Sequence, residues 1–480
     1  MISAALCLLA LTLPAAPRPF ETPEPSPPGR RLDVARGGDL QAALDRAQPG
    51  DVVALEPGAT FSGNFTLPPK PGAAWIVLRT GTDRLPPAGR RLRPAQAALL
   101  AKLVSPNSEP ALRAAPGAHH YRIVGLEFAL ADGVDRNYGL IELGDFAQNA
   151  PEQIPHHLVL DRVYVHGTPR AQLRRGIALN GAWTAVIDSH VSDVHEAGAD
   201  AQAVCGSTGP GPFKIVNNYL EASGENVMFG GADPRIRDLV PADIELRHNH
   251  LTKPLGWKGG AWTVKNLLEL KNARRVLIEG NLLEYNWPAA QNGFAILFTT
   301  RNQDGGAPWS VVEDVSFENN VVRHVASGIN ILGHDDGQPS GQTRRILIRN
   351  NLFEDVGGPW GGKGCLLQLL DGSADVVVER NTAAQTGTIV AVSGRPHTGF
   401  VFRDNVAPHN EYGIGGDNHF GDPLGTIQAY LPEAVITGNV IAGGAAARYP
   451  PGNAFRDGDG ARAGVDRAAL RAALAAGDSS

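Results

Sequence analysis

The hexapeptides Val315-Ser-Phe-Glu-Asn-Asn320 and Ile346-Leu-Ile-Arg-Asn-Asn351 lie 31 residues apart and share one pattern, a short β-rich run, two turn residues, and an Asn followed by more apolar residues. The pattern recurs upstream as Lys214-Ile-Val-Asn-Asn218, Ile244-Glu-Leu-Arg-His-Asn249 and Val276-Leu-Ile-Glu-Gly-Asn281. Downstream it returns as Val376-Val-Val-Glu-Arg-Asn381, Phe400-Val-Phe-Arg-Asp-Asn405 and Val435-Ile-Thr-Gly-Asn439. Weaker versions place His190 and Val163 at the asparagine position, so that the intervals from residue 163 onward are 27, 28, 31, 32, 39, 31, 30, 24 and 34 residues. A period of this size is one coil of a β-solenoid whose turns absorb insertions, and it is far too long for hairpins. Asn suits the turn because it tolerates the left-handed region and its amide bonds the backbone. Stacked at the strand spacing, such amides also bond one another in a ladder.

A second strand falls between the asparagine motifs, for example Leu140-Ile-Glu142-Leu, Ile177-Ala-Leu-Asn180, Leu268-Glu269-Leu-Lys271, Ile329-Asn330-Ile-Leu332 and Leu367-Gln368-Leu. Apolar residues alternate with mixed ones, which predicts a sheet buried on its inner face only. The chain is therefore read as a single-domain, all-β, right-handed parallel β-helix of about 10–12 coils. Residues 1–16 read as a signal peptide, with an apolar run (Ala4 to Leu13) followed by Pro14-Ala-Ala16 but no basic residue before it. Residues 17–31 read as a Pro-rich tether, 32–460 as the β-helix and 461–480 as a small helical tail. Leu40-Gln-Ala-Ala-Leu-Asp-Arg-Ala47 places apolar residues at helical spacing and predicts a helix covering the open first coil.

Composition narrows the function. Glycine and proline number 57 and 36, which suits many short strands joined by turns. The net charge of −6 gives no basic field for nucleic acid. No segment is long and apolar enough to span a membrane, and the expected product is a secreted or periplasmic monomer. Of three cysteines, Cys205 and Cys365 lie about five coils apart in the repeat register and are expected to be free and buried.

The capping segment Leu40-Gln-Ala-Ala-Leu-Asp-Arg-Ala-Gln-Pro-Gly-Asp51, followed by the asparagine-laddered coils, resembles the pectate-lyase-like superfamily of secreted β-helix proteins. The resemblance covers nearly the whole mature chain. It implies a polysaccharide or glycan partner and a substrate groove along the sheet that holds Glu142 and Glu269. Activity is left open, because that superfamily spans lyases, hydrolases, epimerases and adhesins.

The longest insertions flank the same sheet. Loops 251–264, 284–292 and 354–364 carry Trp257, Trp262, Trp287 and Trp360, and loop 301–314 carries Trp309. Such residues either stack on sugar rings or pack the loops onto the helix. Alternation points Glu142, Gln202, Glu269, Lys271, Asn330 and Gln368 outward, with Lys265 just before and Glu225 one coil back. For a lyase acting on a uronate polymer by β-elimination, Lys265, Lys271 and Arg301 are base candidates. The resemblance implies Ca2+ as a neutralising charge, with Glu225, Glu269, Asp304 and Asp335 as candidate ligands. For a glycoside hydrolase, Glu269 pairs with Asp304 or Asp335. Gly333-His-Asp-Asp336, with His334, is superficially similar to the paired aspartates of polygalacturonases, but the Asn-Thr-Asp motif expected beside them is absent. A non-catalytic glycan-binding module needs only the tryptophans with Asn330 and Gln368. Two histidine groups, His156-His157 and His248-Asn-His250, raise metal binding. The first has no evident partner in the sequence and the second straddles a ladder turn, so both read as structural.

Overall fold

The computed structural model describes residues 13–26 and 28–456. The expected signal-peptide core and the expected helix at 466–476 lie outside the described residues. Within them the chain winds into three long parallel sheets of 12, 14 and 14 strands. Sheet 1 (12 strands) holds the strands of Glu142 and Glu269, sheet 2 the strands that precede the ladder asparagines, and sheet 3 the strands that follow them. Between the two terminal turns every coil visits the sheets in the order 1, 2, 3, as the repeat predicts.

Side-chain stacking explains why these residues settle in this register. On the inner face of sheet 1, Ile177, Val204, Val227, Leu268, Ile296, Ile329, Leu367, Val390 and Ile414 lie one above another. Sheet 2 answers with Val186, Ile215, Leu246, Ile278, Phe317 and Ile348, all buried in one continuous core. A one-residue slip would turn each column outward, so the buried aliphatic stack fixes the register.

The asparagine ladder forms as expected. The Nδ2 of Asn218, Asn249, Asn281, Asn320, Asn351, Asn381, Asn405 and Asn439 each donates to the Oδ1 of the next asparagine at 2.8–3.1 Å, ending on Asn453. The backbone N–H of each also donates to the next Oδ1, as Asn281 does to Asn320 at 2.9 Å. Two details differ from the sequence reading. The left-handed residue is the one before the ladder position (Asn217, His248, Asn319, Asn350, Arg380 and Asp404), leaving the ladder amide free to point inward. Ser189, not His190, continues the column: its N–H donates to Asn218 Oδ1 at 2.9 Å. His190 is the first residue of the next strand, paired with Tyr219.

Helix α1 (Leu40–Arg46) buries Leu40, Ala43 and Leu44 over the first coil, and Asp39 caps it by accepting from the Ala42 N–H. A second helix, α2 (Pro423–Tyr430), packs over the last strands of sheet 1, its Thr426 Oγ1 accepting from the Gly416 N–H. Its start is written in Asp422-Pro423, a capping carboxylate followed by a first-turn proline. The Pro-rich segment is no free tether. It runs back along the outside of sheet 2, with Ala15 N–H on Asp314, Arg18 on Asp243, Phe20 against Trp183, and the Thr22 and Pro23 carbonyls on Arg122. Cys205 and Cys365 are free and buried.

Candidate functional site

The outer face of sheet 1 carries a column in strict register: Glu142, Ala178, Cys205, Met228, Glu269, Leu297, Asn330, Gln368 and Ala391. Glu142, Glu269, Asn330 and Gln368 thus share one outward line. The column beside it holds Arg175, Gln202 and Glu225. Hollows open at both ends of this face. One of about 320 Å³ is lined by Arg113, Glu142, Asp145 and Gln148. The other, of about 570 Å³, is lined by Lys363, Gln368, Glu411, Tyr412 and Phe420.

Between the hollows the charged residues converge. Lys265 Nζ lies 2.6 Å from Asp200 Oδ2 and 3.5 Å from Glu225 Oε1. Lys271 Nζ lies 3.7 Å from Glu269 Oε1. Gln202 donates to Glu225 Oε2 at 2.8 Å and Asn266 to Glu269 Oε2 at 3.1 Å. The carboxylates form the floor, with Glu225 and Glu269 side chains 0% and 3% exposed, while those of Lys265 and Lys271 keep 15% and 14% of their surface in solvent.

Electrostatics follow from that layering. Burial, with the charges of Glu269 and Asp200 nearby, pushes the Glu225 carboxyl up to about 7. Burial opposes the charge on Lys265, but Glu225 and Asp200 outweigh it and hold the ammonium above the ordinary lysine value. The flanking carboxylates thus favour the charged form of Lys265 over the free amine that a base requires. Lys253, pushed down to about 7 by burial, is no alternative, because its Nζ is enclosed by the carbonyls of Ala222, Ser223 and Gly224 and by Asn226.

Arg301 stands in the rung after Lys271, its N–H donating to the Lys271 carbonyl at 2.8 Å. Its guanidinium is engaged by Asp335 at 3.0 Å and by Asp336. Asp335 also accepts from the Asn302 N–H, and burial notwithstanding, these donors hold it below the usual carboxylate range. Asp304 is exposed on its loop, and His334 Nδ1 sits 3.3 Å from the Asp371 carbonyl. The four acids Glu225, Glu269, Asp304 and Asp335 thus do not assemble into one cation site. Glu225 and Glu269 offer oxygen donors of the kind Ca2+ takes, but Lys265 and Lys271 already stand against them, and the donor set does not fit a Ca2+ cage.

The tryptophans turn mostly toward the protein. Trp287 is 3% exposed and has no free face for a sugar. Trp262 stacks on buried His195 (centroids 3.9 Å apart) and Trp257 meets the same ring edge-on at 5.4 Å. Trp360 packs on Tyr285 and His324, donates to Asp355 at 2.6 Å and takes Lys258 over its ring. Loop packing therefore accounts for Trp287 wholly and for the other three in large part.

Sequence reasoning left two groups without a role. Asp200 carries the shortest contact of Lys265, and only its position in an irregular segment hid it. His156-His157 does have partners: His119-His120, one coil earlier and in register. Burial, then the neighbouring imidazoles, hold His120 at about 4 and His156 and His157 below the usual histidine value. His250 pairs instead with Glu284 at 2.8 Å beside the ladder turn.

No family model and no curated protein matches the sequence. Solved structures align with it at low identity. A mannuronic acid specific polysaccharide family 6 lyase from human gut microbiota aligns with a TM-score of 0.53 and 12% identity, over 94% of this chain and 100% of the other. The PL6 family alginate lyase AlyGC gives 0.43 and 13% identity over 89% and 53% of the two chains. A surface adhesin of Streptococcus pneumoniae gives 0.40 and 11% over 78% and 85%. At such identities the first of these likenesses shows the fold alone, a right-handed parallel β-helix. Among the described residues no helix is long and apolar enough to cross a membrane.

Proposed function

We propose that this chain is an exported carbohydrate-active protein that cleaves a uronate-containing polysaccharide by β-elimination on the outer face of sheet 1. The observation that carries this reading is the seating of two partly exposed lysine amino groups, those of Lys265 and Lys271, over the buried carboxylates of Glu225 and Glu269. A chain laid along this face passes these amino groups between the two end hollows, which fits an acidic polymer on a protein with no overall positive charge.

The chemistry needs two things, neutralisation of the uronate carboxylate and removal of the adjacent C5 proton. Lys265, held charged by Asp200 and Glu225, supplies the first. Lys271, one rung from Arg301, is assigned the second and accepts the C5 proton in its deprotonated form. The C5–H electron pair becomes the C4–C5 double bond, and the C4–O bond breaks with a solvent proton going to the leaving oxygen. Asn330 and Gln368, farther along the outward column, are assigned to hydrogen-bond the sugar.

One observation favours a second reading. A carboxyl pushed up to about 7 beside a second carboxylate is what an acid–base pair in glycoside hydrolysis requires, and Glu225 stands so beside Glu269. Against it, the Glu225 side chain is wholly buried and would have to emerge to touch a glycosidic oxygen.

Incubating the protein with polymannuronate first, because that is the sugar named for the lyase of like fold, and then with other uronate polymers separates the readings. Elimination gives an ultraviolet-absorbing unsaturated end. New reducing ends without that absorbance favour hydrolysis. Retardation in glycan-containing gels with neither signal leaves a binding module.

A further inference from the structure

Sheet 2 carries a second cluster of chemically competent side chains, well away from the lysines of sheet 1. His119-His120 and His156-His157 open consecutive strands, with His119 in register with His156. Successive side chains of a strand normally point to opposite faces. Here His120 and His157 adopt left-handed backbone (φ 57° and 54°), which breaks the alternation and brings both members of each pair onto the outer surface.

The four rings form a two-by-two block. Within each pair the Nδ1 atoms approach to 2.9 Å (His119 and His120) and 2.8 Å (His156 and His157). Between coils the rings stack in parallel, with centroids 4.7 Å apart for His119 and His156 and 4.5 Å for His120 and His157. One nitrogen from each of His120, His156 and His157 lies within 4.8 Å of the other two, the one such grouping among the described residues. Aromatic walls hold the block: Trp183 stacks on His157 at 5.4 Å, and Trp75 stands edge-on to His120 at 5.3 Å. Trp183 is in turn held by Phe20 and Arg18 of the N-terminal segment. All four imidazoles are half-buried, so solvent reaches them, and among the described residues their ring hydrogen bonds run only within each pair.

We propose that this four-histidine block is a binding site for a divalent first-row transition-metal cation of the Zn2+ and Cu2+ class. Imidazole nitrogen suits these ions, whereas Ca2+ and Mg2+ select oxygen. Metal–nitrogen bonds of about 2.0–2.1 Å place tetrahedral ligands roughly 3.3 Å apart. The nitrogen spacings within the pairs are shorter than that, and the stacked rings of adjacent coils stand farther apart, 4.5–4.7 Å between centroids. Rotation about the broad terminal ring torsions of histidine brings both toward it without moving the backbone. The metal takes the place of the proton between the Nδ1 atoms of a pair, that proton passing through solvent to the ring's Nε2, and ties two coils together on the side where the N-terminal segment lies. The competing account is that the rings merely pack and share N–H···N hydrogen bonds.

Titration of the full chain with Zn2+ and with Cu2+, against Ca2+ and Mg2+, decides between them. One equivalent of Zn2+ or Cu2+ per chain is expected, with Cu2+ quenching the emission of the adjacent Trp75 and Trp183. The double variant His156→Asn/His157→Asn keeps a residue that tolerates left-handed backbone at position 157. It is expected to weaken uptake at least about tenfold, while His419→Asn leaves it unchanged. Because the double variant can fail to fold, the Cu2+ electron paramagnetic resonance spectrum of the unaltered protein is read as well, and three or more nitrogen ligands are expected. Absence of uptake, uptake that a folded His156→Asn/His157→Asn variant retains, or a spectrum with fewer than three nitrogens overturns the proposal.

Discussion

Lys265 Nζ bridges Asp200 Oδ2 at 2.6 Å and Glu225 Oε1 at 3.5 Å, joining an irregular loop to the floor of sheet 1. The bridge has a pH signature. Glu225 is raised from 4.5 to about 7, so the native state binds its proton more tightly than the unfolded chain. The stability this contributes is complete below pH 4.5 and is lost as pH rises through 7. Glu225→Gln, which resembles the protonated form, removes that loss. The melting temperature of the variant relative to the parent should rise between pH 4.5 and 7 and then level off. A difference that is flat across this window would mean that Glu225 titrates as an ordinary glutamate.

The two lysines should separate by role. Lys271→Ala removes the assigned base and should reduce eliminative turnover by about 10²–10⁴-fold. Lys265→Ala removes the assigned cation and should weaken binding of the acidic polymer, so KM rises as well as turnover falling. Both side chains are partly exposed, and a melting shift of more than a few degrees in either variant would point to a structural role instead. Steady-state kinetics on a uronate polymer, with thermal melts alongside, make the comparison.

Much of this was legible in the chain because a solenoid turns sequence arithmetic into space. The ladder from Asn218 to Asn439 could be placed by counting, and the same counting put Glu225, Glu269, Lys265 and Lys271 together. It failed where the repeat is interrupted. Asp200 lies in a segment without the asparagine pattern, so its contact with Lys265 had no register to announce it. The tryptophans sit in insertions, where packing is decided by what lies beneath: buried His195 captures Trp257 and Trp262, a contact that spacing does not encode. Asp304 and Asp335 lie in two further insertions, and Arg301 takes Asp335 for an ion pair. His119-His120 was readable in principle, since it precedes His156-His157 by 37 residues, close to one coil.

The ladder should be costly to interrupt at its centre. Asn320 accepts from both the backbone N–H and the Nδ2 of Asn281, and its own Nδ2 donates to Asn351 and to the Ile278 carbonyl. Asn320→Leu fills the volume but leaves the Asn281 backbone N–H buried without an acceptor, while Asn281 Nδ2 keeps the Leu246 and Glu279 carbonyls. At roughly 1–3 kcal/mol for an orphaned buried group, the variant should lose about 1–3 kcal/mol. A chemical-denaturation midpoint close to that of the parent would show that the column relaxes around the substitution.

The N-terminal segment should behave as part of the folded body. Phe20 is buried against Trp183, Val159 and Ala185, and the Thr22 and Pro23 carbonyls accept from the buried Arg122 guanidinium. Asp243 loses little if the segment is removed, because Arg275 still holds it at 2.6 Å. Phe20 and Arg122 lose more. Phe20→Ala should cost about 3–5 kcal/mol at most, less in proportion to the solvent already at the edge of that cluster. It should also shift Trp183 emission toward the red as water reaches the ring. Proteolysis supplies the second readout: in the parent, cleavage between residues 17 and 26 should be slow, and Phe20→Ala should accelerate it. Rapid cleavage there in the parent itself would mean that the segment spends most of its time undocked, and the emission shift should then be absent too.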